Sequence, residues 1–314
     1  MSISDRKLPD IVISEFMDKD IAFEVLNNLD VQYDPTLVDD RIALLKTLAK
    51  ARAIIVRNRT QVNNELLEHA PNLQVVGRLG VGLDNIDLEA CKAHNVVVCP
   101  ATGANDVAVA EYTITAAIVL LRGAWSATDR MIAGEWPRTN LMGREISGKR
   151  LGLIGFGSIA RKVAARASAL GMDIYAYDPY LAENDAAWSN AYRATLTKLA
   201  ADCDVISVHV PLTDKTRNLI DIKFIRSMRL GSILINTARG DIVDENAVVE
   251  ALRENKLGGA ALDVFNFEPL DSESGAIFNE VPNLILTPHI AGITKEANQR
   301  VSFLTAQNVL KHLC

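Results

Sequence analysis

Short apolar runs alternate with helix-like segments along the chain, and this alternation predicts its fold. In the first third of the sequence the apolar runs fit strands, and the segments between them carry apolar residues three or four positions apart. The predicted strands there are 11–14, 53–56, 73–77 and 96–99, and the predicted helices are 20–28, 42–50, 63–69 and 88–94. Strands that alternate with helices form parallel sheets with crossover helices. The pattern therefore predicts the α/β class.

A long apolar helix predicted over 105–122 separates this region from the rest. Its first turn is too polar for a membrane span and its remainder is too apolar for exposure. We therefore expect it to cross between domains or to pack against a second subunit. The alternation then resumes and continues to the end of the chain. Further helices are predicted over 126–134, 161–170, 196–201, 221–228, 245–255 and 295–313, and further strands over 151–154, 172–177, 204–209, 232–236, 259–264 and 283–287.

A glycine-rich turn stands between the strand at 151–154 and the following helix. It contains Gly155 and Gly157, a small Ala160 in the third position, and an acid, Asp178, 21 residues after Gly157 at the end of the next strand. This layout is typical of a dinucleotide-binding unit, in which the helix N-terminus meets the pyrophosphate and the acid binds a ribose. The absence of a neighbouring arginine after Asp178 favours NAD over NADP. An ordinary glycine-rich turn is the alternative.

A second glycine pair, Gly80 and Gly82, also follows a strand and precedes a helix. The next strand, however, ends at Cys99 and Pro100 and offers no carboxylate for a ribose. We therefore expect this loop to hold a smaller anion, such as a substrate carboxylate, on its backbone amides. A purely structural turn is the alternative.

Composition narrows the class of protein further. A chain of 314 residues has room for roughly two domains, and its net charge of −6 argues against a nucleic-acid binder. No apolar run approaches the ~18–20 residues of a membrane span, and residues 1–7 lack the apolar segment of a signal peptide, so we expect a cytoplasmic protein without membrane contact. The cysteines share no CxxC spacing, which favours reduced, packed thiols over a metal site or disulfides. They are Cys91, Cys99, Cys203 and Cys314.

Polar residues follow several predicted strands after the dinucleotide turn, where parallel sheets bind ligands. They are Asp178, His209, Arg239, Asp263, Glu268 and His289. Three of them suit redox chemistry on an alcohol that carries a carboxylate. The imidazole of His289 can exchange the proton, Glu268 can pair with it and fix the ring, and the guanidinium of Arg239 matches a carboxylate. Each residue alone also has a structural explanation, such as capping a turn or pairing with a surface acid.

Three blocks of sequence together resemble the D-isomer-specific 2-hydroxyacid dehydrogenase family. They are residues 155–179, residues 236–244 (NTARGDIVD), and residues 261–270 (ALDVFNFEPL) with 287–292 (TPHIAG). The resemblance implies that Arg239, Glu268 and His289 form the catalytic trio. It also implies a Rossmann NAD-binding domain over 102–289, inserted into a flavodoxin-like substrate domain over 1–101 and 290–314, and a homodimer formed through the 105–122 region.

The resemblance also assigns residues to the cofactor and the substrate. The implied cofactor-binding residues are Gly155, Gly157, Ser158, Ile159, Asp178, His209, Pro211, Thr216, Thr237, Ala238, Asp263 and Gly292, with Asp263 near the nicotinamide carboxamide. Val81 and Gly82 would offer amides to the substrate carboxylate, and Asn105 matches a polar position at the family's cleft.

Residues 56–60 (VRNRT), 134–138 and 141–148 are most similar to the phosphoglycerate dehydrogenase branch, and we expect the protein to lack the additional C-terminal regulatory domain of many such enzymes. A bend after the strand at 53–56 would aim only one of Arg57 and Arg59 at the substrate, and the resemblance favours Arg57. A cation there suits a three-carbon 2-hydroxy acid with a distal anion, such as 3-phosphoglycerate or sulfolactate. A surface role for Arg57 is the alternative, and with it glycerate, hydroxypyruvate or another 2-keto acid as substrate.

Two rival functions use the same scaffold. In formate dehydrogenases the catalytic position resembles a Gln–His pair. The glutamate at position 268 therefore argues against a formate dehydrogenase. NAD-sensing corepressors keep the trio but bind peptides, and this chain lacks extended polar tails for such partners. Turnover of 2-keto acids distinguishes an enzyme from a sensor.

Overall fold

The structure, a computed structural model, describes residues 9–313, apart from the side chains of residues 124 and 126. The described chain divides into two compact units. One comprises the residues up to Asn105 together with those from Ile293 onward, and the other comprises Asp106–Gly292.

All strands of both units are parallel. In the first unit they are β1 (Ile11–Ile13), β2 (Val31–Tyr33), β3 (Ala53–Val56), β4 (Val75–Arg78) and β5 (Val97–Pro100). In the second they are β6 (Arg150–Ile154), β7 (Asp173–Tyr177), β8 (Tyr192–Arg193), β9 (Val205–Val208), β10 (Ser232–Asn236), β11 (Leu257–Leu262) and β12 (Leu284–Leu286). The prediction of an α/β fold with two parallel sheets is confirmed.

Helices connect the strands and cover both faces of each sheet. They are α1 (Lys19–Val25), α2 (Arg41–Leu48), α3 (Asn64–His69), α4 (Leu88–Ala93), α5 (Asp106–Arg122), α6 (Thr128–Ile132), α7 (Ser158–Ala169), α8 (Leu196–Asp202), α9 (Ile222–Ser227), α10 (Glu245–Arg253) and α11 (Lys295–Leu313). Among the described residues no helix is long and apolar enough to cross a membrane.

Polar caps fix where several helices begin. The carboxylate of Asp40 accepts a hydrogen bond from the N–H of Ala43 at 2.9 Å, and Asp87 caps α4 in the same way through Ala90. These side chains satisfy first-turn N–H groups that have no partner inside the helix. The chain therefore enters α2 and α4 at the residue after each acid.

The first unit has the strand order β2-β1-β3-β4-β5, which is that of flavodoxin-like sheets. The buried residues of β1 alternate between the two faces. Ile11 and Ile13 pack with α1 and α11, whereas Val12 packs with α2, α3 and α4. A sheet covered on both faces explains why the strand sequences are continuously apolar rather than alternating with polar residues.

The second unit has the order β8-β7-β6-β9-β10-β11-β12. Its first six strands follow the Rossmann order, which reverses direction between β6 and β9. Helices α5 and α7 cover one face, and α8, α9 and α10 cover the other. Ligands of such sheets bind at the carboxyl ends of the strands beside the reversal, which here are Ile154 and Val208.

The apolar character of α5 has a local explanation that the sequence prediction did not give. Ala117, Leu120 and Leu121 are buried in the core that α5 shares with α7 and the sheet of its own unit. These three residues of α5 are therefore covered within Asp106–Gly292, whereas Val107, Ile118 and Val119 stay partly exposed.

Three strands and one helix differ most from the predicted pattern. β2 and β8 were missed, because a partly buried strand of three residues and an exposed strand of two residues leave no readable periodicity. The helix predicted over 126–134 is instead a 3-10 turn, Ala124–Ala127, followed by the short α6. β11 begins before the predicted strand at 259–264, because Gly258 and Gly259 interrupt its apolar run.

Candidate active site

The glycine turn after β6 leaves open space in front of the N-terminus of α7. Gly155 has φ +88°, and a Cβ there would lie 2.5 Å from the carbonyl oxygen of His209, so only glycine fits. Gly157 precedes the helix, and a Cβ there would meet nothing within 4 Å. Ser158 and Ile159 form the first turn, whose backbone N–H groups and helix dipole favour an anion. This arrangement fits the pyrophosphate of a dinucleotide.

Asp178 follows β7 and fastens the same turn. Its Oδ2 accepts a hydrogen bond from the N–H of Phe156 at 2.9 Å, and its Oδ1 accepts one from Tyr180 at 3.0 Å. A carboxylate has about four lone-pair sites, so two bonds to the chain leave acceptor capacity for ribose hydroxyls. Asp178 therefore holds the glycine turn through its hydrogen bonds, in addition to the ribose-binding role that the sequence predicts.

The loop after β9 lies on the other side of the strand reversal. His209 Nε2 shares a hydrogen bond with Ser207 Oγ at 2.9 Å. Burial lowers the pKa of His209 to about 4, so its imidazole is neutral near neutral pH. Further along, the hydroxyl of Thr216 donates to the carbonyl of Pro211 at 2.6 Å and accepts from the N–H of Thr213 at 2.8 Å. These bonds hold the predicted cofactor-contacting residues in one turn.

A buried asparagine that the sequence reasoning missed shapes the turn after β10. Asn236 Nδ2 donates to the carbonyl of Arg239 at 2.9 Å, and its Oδ1 accepts from the N–H of Ala238 at 3.0 Å. Between them, Thr237 Oγ1 is buried without a hydrogen-bond partner among residues 9–313. Such a hydroxyl fits a polar group of a bound cofactor. The only sequence signal was the polar end of a buried strand.

The next turn places a glutamate against this one. A Cβ at Gly240 would lie 1.9 Å from the carbonyl carbon of Phe265, so the two loops approach closely only because residue 240 is glycine. Glu268 Oε1 accepts from the N–H of Phe265 at 3.0 Å. Its other oxygen, Oε2, lies 2.7 Å from His289 Nδ1. The structure therefore brings the predicted Glu268 and His289 into direct contact.

The electrostatics of this pair favour an ionised glutamate. Burial by itself would raise the pKa of Glu268, but the hydrogen bonds from His289 and from the N–H of Phe265, together with the positive charges of His289 and Arg239, lower it below its ordinary value. A carboxylate only accepts, so Nδ1 of His289 carries the proton. Nε2 is then the ring nitrogen left for proton exchange with a substrate.

A buried aspartate holds the loop that carries His289. Asp263 Oδ1 accepts from the N–H of Ile290 at 2.8 Å and from the hydroxyl of Thr287 at 2.6 Å, and Oδ2 accepts from the N–H of Ala291 at 2.8 Å. The Thr287 hydroxyl also lies 2.6 Å from that of Tyr112 on α5. These three donors give Asp263 a structural role, which the sequence did not predict. That Asp263 lies near the carboxamide of the nicotinamide stays a prediction. Gly292 ends this loop and the unit.

The predicted substrate residues belong to the first unit. Val81 is exposed and Gly82 is partly exposed in the loop after β4. Asn105 directly precedes α5, and its Oδ1 is buried with no hydrogen-bond partner among the described residues. Arg59 pairs with Asp39. Arg57 instead donates to the carbonyl of Phe16 at 3.2 Å and to Asn298 Oδ1 at 3.4 Å.

The described cysteines do not carry site chemistry. Cys91, Cys99 and Cys203 are free and buried. Burial raises the pKa of Cys91 to about 11 and that of Cys203 to about 12, so neither thiol is ionised at neutral pH. Cys314 and the N-terminal residues 1–7 lie outside the described part. Within that part, no cluster of His, Cys, Asp and Glu could hold a metal ion.

Comparisons with known proteins bear on the whole chain. Residues 114–291 match the family model described as "D-isomer specific 2-hydroxyacid dehydrogenase, NAD binding domain". The chain is 52% identical over 307 residues to the (S)-sulfolactate dehydrogenase of Chromohalobacter salexigens, covering 98% of this chain and 99% of that protein. It is 36% identical to the D-3-phosphoglycerate dehydrogenase of Archaeoglobus fulgidus, over 96% of this chain but only 56% of that protein.

A solved structure gives the same result at the level of the fold. The D-lactate dehydrogenase of Aquifex aeolicus, complexed with NAD and lactic acid, matches with a TM-score of 0.83 at 28% identity, covering 96% of this chain and 95% of that one. The family prediction and the prediction of NAD as cofactor are confirmed. The chain belongs to the D-isomer specific 2-hydroxyacid dehydrogenase family, and the matched NAD-binding domain lies within its second unit.

Proposed function

We propose that this enzyme interconverts a three-carbon 2-hydroxy acid with a distal anion and the corresponding 2-keto acid, and that 3-sulfolactate and sulfopyruvate are its preferred pair. The observation that carries the proposal is Arg57. Among residues 9–313 its guanidinium has no carboxylate within ion-pair distance, whereas Arg59 two positions on is paired with Asp39. An arginine without an acidic partner suits a sulfonate or phosphate. The similarity to a sulfolactate dehydrogenase favours the sulfonate.

The chemistry divides between cofactor and chain. NAD, when bound, accepts the hydride from C2 of the hydroxy acid, so the protein must bind the substrate and move one proton. We assign the proton to His289 Nε2, which accepts it from the C2 hydroxyl in oxidation and returns it to the keto oxygen in reduction. The carboxylate of Glu268 at 2.7 Å stabilises the imidazolium that forms. We assign the substrate carboxylate to the guanidinium of Arg239.

The remaining substrate contacts are proposed for the first unit. The backbone amides of Val81 and Gly82 suit the carboxylate, since exposed N–H groups in a glycine loop bind anions. The unpartnered Oδ1 of Asn105 suits a hydroxyl donor. We propose that Arg57 binds the distal anion.

The test is a kinetic comparison of 2-keto acids with NADH. Sulfopyruvate and phosphohydroxypyruvate carry a distal anion, hydroxypyruvate a neutral hydroxyl, and pyruvate neither. We expect kcat/KM to be highest for sulfopyruvate, and the Arg57→Ala variant to lose this preference through KM. Arg59→Ala is the matched control and should keep it. Equal kcat/KM for all four acids, or an equal effect of Arg57→Ala on each, would refute the distal-anion proposal. Tight NADH binding without turnover would instead favour a sensor.

Two further proposals concern assembly and location. We propose a homodimer formed through the 105–122 region together with the segment that follows it, in which Trp125, Ile132, Trp136 and Met142 are each at least 66% exposed. Exposed apolar side chains grouped in this way are typical of an interface. Light scattering after gel filtration should give twice the monomer mass.

We also propose a cytoplasmic enzyme, in keeping with its free buried thiols, and cell fractionation tests this.

A further inference from the structure

A single buried carboxylate organises the loop that carries Arg57. Glu15 follows β1 and is only 5% exposed. Its Oε1 accepts hydrogen bonds from the backbone N–H groups of Arg57 and Thr60, both at 2.9 Å. Its Oε2 accepts from those of Asn58 at 3.3 Å and Arg59 at 3.2 Å. Four consecutive residues therefore donate to one side chain.

This arrangement fixes the loop without an ion pair between Glu15 and Arg57. Burial lowers the pKa of Arg57, and the charge of Glu15 acts in the opposite direction. A buried carboxylate is stable only when donors compensate for its lost hydration, and here four backbone N–H groups do so. The acceptor sites of Glu15 are thereby occupied by main chain, and the guanidinium of Arg57 bonds to the neutral oxygens of Phe16 and Asn298 instead. The Arg57 Cζ also lies 5.9 Å from the centre of the Phe16 ring.

The same loop is tied to the second substrate loop of this unit. The carbonyl of Thr60 accepts from Asn85 Nδ2 at 2.7 Å, and the carbonyl of Asn85 accepts from the N–H of Val62 at 2.9 Å. Asn85 ends the glycine loop that contains Val81 and Gly82. The Arg57 loop is thus hydrogen-bonded to the end of the glycine loop that contains residues 81 and 82.

We propose that Glu15 is a positioning residue for substrate specificity, which acts by holding the 57–60 loop so that Arg57 is presented to the distal anion of the substrate. Asn298 on α11 is the second support, since it holds the guanidinium itself. The proposal rests on the proposed function of Arg57. No contact between Glu15 and substrate is involved.

The experiment compares sulfopyruvate, which has a distal anion, with pyruvate, which has none, in the NADH-dependent reduction. In Glu15→Gln the amide NH₂ would face two N–H donors, so the loop loses about half of its hydrogen bonds to residue 15. We expect KM for sulfopyruvate to rise about tenfold. An effect of this size is expected when the loop loses hydrogen bonds and the guanidinium of Arg57 is displaced from the sulfonate. The kcat values, and KM for pyruvate, should change less than about twofold. Glu15→Asp, which keeps the charge, should recover part of the loss.

Asn298→Ala keeps the proposal testable if Glu15→Gln does not fold, because Asn298 lies on the partly exposed surface of α11. It should raise KM for sulfopyruvate severalfold and leave pyruvate unchanged. Arg59→Ala is the matched control, since its ion pair with Asp39 lies outside this support, and it should behave as the wild type.

Comparison with Arg57→Ala separates the two proposals. If Arg57→Ala changes the ratio of the two KM values and the Glu15 and Asn298 variants do not, the positioning role is wrong and the function of Arg57 stands. If Arg57→Ala itself leaves the ratio unchanged, both proposals fail. In the Arg57→Ala background, Glu15→Gln should cause no further change in the ratio. A further change, or an equal rise of KM for both substrates, would show that Glu15 acts independently of Arg57.

Discussion

Replacing Glu268 by glutamine tests the proposed proton transfer directly. In the structure one oxygen of Glu268 accepts from the N–H of Phe265 at 3.0 Å and the other from His289 Nδ1 at 2.7 Å. Glutamine keeps the size of the side chain, but only one of its two terminal atoms accepts a hydrogen bond. If the amide oxygen stays on Phe265, the NH₂ group donates to Nδ1. The imidazole proton then moves to Nε2, the atom that must accept the substrate proton.

The magnitude follows from the bond that is lost. A hydrogen bond to a charged group contributes about 1.5–3 kcal/mol, which corresponds to roughly 10- to 150-fold in rate. His289 and Glu268 have side chains that are 41% and 32% exposed, so solvent screening favours the lower half of that range. We expect kcat to fall about 10- to 50-fold. KM should change little, because the imidazolium forms only as the proton is transferred.

The assay is steady-state oxidation of the best 2-hydroxy acid with NAD, the direction in which His289 Nε2 accepts the proton, together with a direct NADH binding measurement. Glu273→Gln is the matched control, since it makes the same chemical change at an exposed position on the same segment. It should leave kcat unchanged. If Glu268→Gln retains kcat within about twofold while its fold and NADH affinity are intact, the charge of Glu268 does not assist proton transfer and the assignment is wrong.

Three further predictions concern neighbouring residues. His289→Gln should lower kcat by about 10²–10⁴ while NADH binding, measured by fluorescence titration, stays nearly intact; surviving turnover would exclude His289 as the proton carrier. Asp178→Ala should raise KM for NAD about tenfold and reduce the ratio of kcat/KM for NAD to kcat/KM for NADP. If that ratio is unchanged, Asp178 does not bind the ribose. His209 has a folded pKa of about 4 against an ordinary 6.5, so the unfolded state binds more protons in that interval. The free energy of unfolding should therefore fall by up to about 3 kcal/mol as pH drops from 6.5 to 4. In urea titrations at several pH values, the free energy of unfolding of His209→Asn should depend less on pH than that of the wild type. The same dependence in both proteins would contradict the prediction.

The sequence predicted the fold well because most strands are buried apolar runs that alternate regularly with helical segments. β3 and β10 have the predicted bounds, since each is a continuous apolar run that is buried on both faces. The dinucleotide turn and the Glu268–His289 pair could be predicted because they lie at strand ends in recognisable motifs. β2 and β8 could not be predicted, because three partly buried residues in β2 and two exposed residues in β8 are too few to show a period.

The supporting residues escaped prediction for a different reason. Glu15 is an acid after a strand, as Asp178 and Asp263 are, and nothing in its immediate sequence shows that it binds four amides of a loop 42 to 45 positions away. Asn236 has the same difficulty, since its partners depend on how the next turn folds. Strand-end position indicates that a polar residue lies near ligands. It does not indicate whether the residue faces a ligand or the chain.

The structure gives a rule for these strand-end acids. Glu15 follows β1 and holds the loop after its neighbour β3. Asp178 follows β7 and holds the turn after its neighbour β6, and Asp263 follows β11 and holds the loop after its neighbour β12. In each case the acid accepts at least one backbone N–H group from the adjacent strand's loop, and that loop carries a proposed functional group. Because the donors are main-chain atoms, the loop sequence can change while the support remains. Specificity can then change through residue 57 alone, without loss of the conformation that presents it.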